Sequence, residues 1–203
     1  MLNDSVIDEL QSKALSVLEC TLDKHYTYHN AAHTREVCDA VKLFTANSIL
    51  PSATLTALRI AAIFHDFGYL VRSYDNELLA LPYIKDFGRE FGIEESVLME
   101  AHDLISETVF PYAPVTPAGM ILCDADIEYI GRKDFFVQAE LFRQELSAEG
   151  VVYTDEQWWS LEVKFLQENC FFTPVCRNLR NSIRMQNLKK AQAYLLKARQ
   201  ECL

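Results

Sequence analysis

Apolar residues recur every three or four positions through most of this 203-residue chain, and alternating runs are nearly absent apart from the short GVVYT at 150–154. A period near 3.6 lines one face of a helix, whereas a half-buried strand needs a period of two. Few breakers interrupt the pattern. Gly and Pro number six each, well below the average of roughly 12% for the pair. The expected class is all-α. Half of the residues are apolar, ample for a core, and the length suits a single domain over 1–203.

Caps and stripes place the individual helices. Residues 5–22 are amphipathic, with Val6, Leu10, Leu15 and Leu18 on one side. After HYTYHN (25–30), Asn30 can cap a helix in which Val37, Ala40, Val41 and Phe44 repeat. His33, four residues before Val37, falls on its inward face near the start. Pro51 and Ser52 open a third helix, whose Leu55, Leu58, Ala62 and His65 share a stripe, and Gly68 is placed to stop it. Two more stretches, 75–91 and 94–108, are split by FGI. Pro82 kinks or divides the first, and Ile93, Val97, Ala101, Leu104 and Ile105 face inward on the second. The Pro-rich FPYAPVTPAG (110–119) is a break, after which helix resumes over 118–130, 133–148, 155–170 and 174–200. Adjacent helical residues point about 100° apart. Of Trp158 and Trp159, one therefore packs inside while the other covers a neighbouring helix or a homodimer partner.

The formal charge of −10 leaves no overall electrostatic footprint for nucleic acid or anionic lipid. The longest apolar tract, LTALRIAAIF (55–64), is broken by Arg59 and too short to span a bilayer. The opening MLNDSVIDEL lacks the basic start and apolar stretch of a signal peptide. Cys20, Cys38, Cys123, Cys170, Cys176 and Cys202 form no C-x-x-C. A cytoplasmic protein with reduced thiols is expected, with neither a nucleic-acid polymer nor a membrane as partner.

The stretch IAAIFHDFGYL (60–70) drives an apolar helix straight into His65 and Asp66. A buried carboxylate there is costly unless positive charge meets it, and a dication would do so. A His-Asp pair alone is a weak signal, since His102-Asp103 repeats it. The other inward polar groups are His33 and the aspartates of ILCDADIEYIG (121–131), where periodicity does not choose between Asp124 and Asp126. Two histidines and two carboxylates from three helices suit manganese, iron, zinc or magnesium with waters completing the shell. They suit neither a structural zinc site nor a calcium loop.

The ordered set YHNAAHT (28–34), AAIFHDFGY (61–69), DNE (75–77), a helix ending LISET (104–108) and CDADIEYIG (123–131) resembles the HD-domain superfamily of metal-dependent phosphohydrolases, above all its small bacterial members. The tail FFTPVCRNLRNSIRMQNL (171–188) extends the likeness over nearly all of the chain. The resemblance implies a single-domain HD-domain/PDEase-like helical bundle, with a metal-site core at about 25–131 and C-terminal helices 132–203 packing on it. It implies that His33, His65, Asp66 and Asp126 ligate one divalent ion per chain. Asp126 takes precedence over the flanking Asp124 because ADI matches the family's alanine-aspartate-leucine run. Glu77, in DNE, matches a recurring position and is a candidate base or orienter, against the plainer reading of a surface carboxylate. His29 is a candidate donor to a phosphate or leaving oxygen, against a histidine bonded within its turn. Arg72 and Lys85 read as solvated.

His102 lies on the helix that supplies extra histidines for a second metal in larger-site relatives. It lacks a histidine to pair with, so a mononuclear site is expected, with Asp103 on the solvent face. The activity implied is hydrolysis of a phosphate ester of a small molecule such as a nucleotide, by water activated at the metal. No serine or cysteine nucleophile motif competes with it. The alternatives are a dinuclear iron oxygenase of the same superfamily, for which His102 is the only foothold, a catalytically idle metal- or ligand-binding module, and a helical interaction protein with no metal.

Overall fold

The computed structural model describes residues 4–201, so Cys202 lies outside the described residues. These residues form α1 (Asp4–Thr21), α2 (Ala31–Thr45), α3 (Ser52–Phe64), α4 (Ala80–Glu90), α5 (Glu95–Ser106), α6 (Pro117–Asp126), α7 (Phe135–Ala148), α8 (Asp155–Glu168) and α9 (Pro174–Glu201), with single 3₁₀ turns at Phe67–Leu70, Asn76–Leu79 and Glu128–Gly131. The protein is all-α, and GVVYT is not a strand. No helix among the described residues is long and apolar enough to cross a membrane. Cys20, Cys38, Cys123, Cys170 and Cys176 are free thiols. The helices gather into two compact units: the chain up to Lys24 together with His29–Asp126, and His25–Tyr28 together with the chain from Ile127 onward.

In the first unit α3 is central, packing against α1, α2, α4, α5 and α6. Its composition explains this. From Ala57 to Phe64 every residue is buried except Arg59, whose guanidinium reaches Asp4 and Asp8 of α1 at 2.6 and 2.9 Å. A helix apolar all round is covered all round, so the single stripe expected for α3 is too narrow, and Leu55 is only half-buried. On α1 the inner position falls to Ile7, ahead of Leu10, Leu15 and Leu18, while Val6 is half-buried. Asn30 caps α2 as expected, its side-chain oxygen accepting from the backbone N–H groups of Ala32 and His33, and Val37, Ala40, Val41 and Phe44 are buried.

Three expected boundaries move. α3 ends at Phe64, with His65 at its C-cap, so Gly68 is not the stop. Gly68 lies in the 3₁₀ turn beyond, where a Cβ would run into the backbone of Asn76. Glycine is there for a close approach between two segments, a nonlocal demand that the local pattern does not express. Pro82 neither kinks nor divides a helix. The break from 3₁₀ turn to α4 precedes it, and Pro82 sits in the first turn of α4, where an N–H has no helical partner to lose. α4 then closes on Gly92 at φ 64°, with Ile93 N–H donating to Gly88 O at 2.8 Å and the Ile93 side chain buried. α6 stops at Asp126 and continues only as the 3₁₀ turn Glu128–Gly131.

In the second unit α8 packs along α9, and both α7 and α9 rest on the turn Glu128–Gly131. Trp158 is wholly buried, and Trp159 is half-buried between the rings of Phe136 and Tyr194 of the same unit. The polar residues of the tail close this unit. Arg180 Nε donates to Glu128 Oε2 at 2.7 Å, Arg184 donates to the carbonyls of Leu166 and Asn169, and Asn187 Nδ2 donates to those of Ile130 and Arg132.

Candidate metal centre

Three helix ends of the first unit deliver the side chains. His33 comes from the first turn of α2, His65 and Asp66 from the end of α3, and Asp126 from the last residue of α6. His33 Nε2 stands 3.1 Å from Asp126 Oδ1 and 3.5 Å from Asp66 Oδ2. His65 Nε2 stands 3.2 Å from Asp66 Oδ2 and 3.6 Å from Asp126 Oδ1. The two Nε2 atoms are 3.3 Å apart. Donor atoms about 2.1 Å from a common centre and roughly 90–110° apart lie about 3.0–3.4 Å from one another; the separations of 3.1, 3.2 and 3.3 Å fall in that range, and those of 3.5 and 3.6 Å lie just beyond it. His33, His65 and Asp66 form a buried group that could hold a metal ion.

Two details fit this use. His65 Nδ1 lies 3.0 Å from Ala62 O and donates to it, which turns the lone pair of Nε2 toward the cluster. Asp66 Oδ2 is buried without a hydrogen-bond partner, although His65 Nε2 is near. Without metal, the charge opposite this oxygen is that of the His65 imidazole 3.2 Å away. Burial pushes the His65 imidazole down, but the Asp66 carboxylate, with Asp126 behind it, more than reverses this and raises its pKa to about 9. Burial opposes ionisation of Asp66 as well, and the facing imidazoles of His65, His29 and His33 hold its carboxyl well below the usual range. Without metal the cluster therefore keeps a proton on His65, and an ion entering would displace it.

The remaining candidates divide. Glu77 is half-buried on the turn Asn76–Leu79, its pKa raised by burial and further by the carboxylates of Asp66 and Asp126, so it stands within electrostatic reach of the cluster. The His29 ring stacks on Tyr69 at 4.4 Å and meets His33 edge to face at 5.9 Å. Asp124 is wholly buried and lies about 200° round the helix from Asp126. His102 is half-buried on α5 with Nε2 lacking a hydrogen-bond partner, and no hydrogen bond, ion pair or ring contact joins it to the quartet. Asp103 is exposed. Arg72 lies over the ring of Tyr74 and Lys85 pairs with Glu95.

Two residues at the site escape sequence reasoning. Tyr69 supports His29, and Tyr112 donates its hydroxyl to Asp126 Oδ2 at 3.2 Å. Tyr112 lies in the Pro-rich break, where no periodicity marks a direction. No family model matches the chain, and no curated protein matches it.

Proposed function

We propose that the chain is a metal-dependent phosphohydrolase of the HD-domain type, hydrolysing a phosphate ester of a small molecule such as a nucleotide. One divalent ion, manganese, iron, zinc or magnesium, is held by His33, His65, Asp66 and Asp126. The observation that carries this reading is the buried group of His33, His65 and Asp66, whose imidazole nitrogens and carboxylate oxygen lie 3.2–3.5 Å apart, with Asp126 Oδ1 beside it at 3.1 Å from His33 Nε2. The ordered motifs that resemble the superfamily contain these four residues and point the same way.

When bound, such an ion supplies an acidified water and draws charge from a phosphoryl oxygen. The chain's own residues do the rest. Ala62 O fixes the His65 tautomer, and Asp66 and Asp126 balance the charge of the centre. Glu77, whose carboxyl holds a proton more readily than an ordinary glutamate, is suited to take one from the attacking water. His29, held flat on Tyr69, is the donor to the phosphate or the leaving oxygen. One observation favours the dinuclear iron oxygenase, the unpartnered Nε2 of His102. It is outweighed because the chain's other histidines are His25, His29, His33 and His65, which leaves no histidine on α5 to pair with it.

The test is elemental analysis of protein purified without added metal or chelator, wild type beside Asp66→Ala, followed by turnover of phosphate monoesters with the ion found. About one equivalent in the wild type and almost none in a folded variant is expected. Near two equivalents of iron would favour the oxygenase, and metal without turnover the binding module. No metal even after reconstitution would sink the reading.

A further inference from the structure

Asp126 ends α6, where exposed carbonyls disfavour a negative charge, and of the two carboxylates its side chain is the more open, 17% exposed against 11% for Asp66. Something must hold it. Its two oxygens have separate partners: Oδ1 faces His33 Nε2 at 3.1 Å, and Oδ2 accepts from the Tyr112 hydroxyl at 3.2 Å. The segment that delivers Tyr112 is itself tied down. The Glu107 carboxylate accepts from the N–H groups of Val115 and Thr116 at 2.7 and 3.0 Å and from the Thr116 hydroxyl at 2.7 Å. Thr116 Oγ1 in turn accepts from Gly119 N–H at 2.9 Å, joining the loop to the first turn of α6. Phe110 meets the Tyr112 ring edge to face at 5.5 Å.

We infer that Tyr112 is the positioning residue of the centre, fixing the carboxylate plane of Asp126 so that Oδ1 alone faces His33 and His65. This rests on the metal-centre reading above. A carboxylate free to turn about its last bond can offer both oxygens or swing to water. With Oδ2 engaged by a phenol it offers one oxygen in one direction, and partners of this kind are worth about 10–100-fold in metal affinity. The Glu107 clasp gives the phenol a fixed reach, so the irregular segment between α5 and α6 acts as a strut.

Tyr112→Phe removes one oxygen and keeps the ring against Phe110. The probe is Co²⁺ titrated into the metal-free full chain, read by its visible d–d absorption, with thermal melting of the metal-free protein alongside. Expected are a Co²⁺ affinity about tenfold weaker than wild type, a changed absorption band because the carboxylate is no longer held to one oxygen, and an unchanged melting temperature. Equal affinity with an identical band overturns the inference and leaves the proposed function standing. Weaker binding with an unchanged band and a lowered melting temperature also overturns it, because Tyr112 would then only brace the loop. A wild type that takes up neither Co²⁺, Mn²⁺ nor Zn²⁺ overturns the metal centre itself, and the inference with it.

Discussion

Asp66 in the first unit, just before a 3₁₀ turn, and Glu128 in the second, which opens one, are both buried carboxylates, yet the chain meets them differently. Glu128 has Arg180 Nε on Oε2 at 2.7 Å and Arg132 Nη1 3.6 Å from Oε1. Guanidinium groups never lose their charge, so that carboxylate is closed for good. Asp66 is faced by imidazoles, which are basic or neutral according to what else is present, and one of its oxygens lacks a hydrogen bond. Glu162 on α8 shows a third outcome. Its Oε2 is buried without a partner, and burial alone pushes its pKa up to about 7, so it meets the interior by giving up part of its charge near neutral pH. Burial of a carboxylate therefore does not mark a site. The nature of the group opposite it does.

The comparison breaks first at the aspartates of α6. Asp126→Asn should weaken metal binding by about 100-fold, whereas Asp124→Asn, at the more deeply buried position, should change affinity by less than about threefold. Isothermal titration on both variants checks this, and equal losses would mean that burial, not the facing imidazoles, selects the ligand. Next, Glu128→Ala should destabilise the fold by about 3 kcal/mol by stranding Arg180, while Arg132 keeps its pair with Asp134, with metal content unchanged. Urea unfolding beside elemental analysis reads both, and a loss of metal would erase the contrast with Asp66.

The smallest effect belongs to Glu162. Its folded-state pKa of about 7 lies above the ordinary 4.5, so the native state binds the proton more tightly than the unfolded chain. Native stability is then undiminished below pH 4.5, falls as pH rises from 4.5 through 7, and loses nothing more above that. Glu162→Gln removes the titration and should gain about 3 kcal/mol at pH 8 and nothing at pH 4. A gain of the same size at both pH values would show that something other than ionisation is being relieved.

The parts readable from sequence are those decided by near neighbours along the chain. Asn30 caps α2 because its side chain reaches N–H groups two and three residues on, and α5 buries Val97, Ala101, Leu104 and Ile105 because one period sets them on one face. The site is readable to the extent that chemistry restricts it: His65 and Asp66 end an apolar helix that could not carry them unaided. Periodicity does not separate Asp126 from Asp124, which the sequence distinguishes only through the resemblance of ADI and the structure through the angle at which α6 meets His33; Tyr112 is set apart only by the reach of a loop whose shape depends on Glu107. Gly68 misleads for the same reason, its constraint lying eight residues further on.

That approach of Gly68 to Asn76 has a mechanical meaning. Where two segments touch through side chains, rotamers flex and absorb small displacements. Here backbone meets backbone, with nothing between to give. The turn next to Asp66 and the turn that carries Glu77 therefore cannot be pressed closer together than they are. The pair behaves as a rigid gauge, and its length is the thickness of two peptide chains in contact.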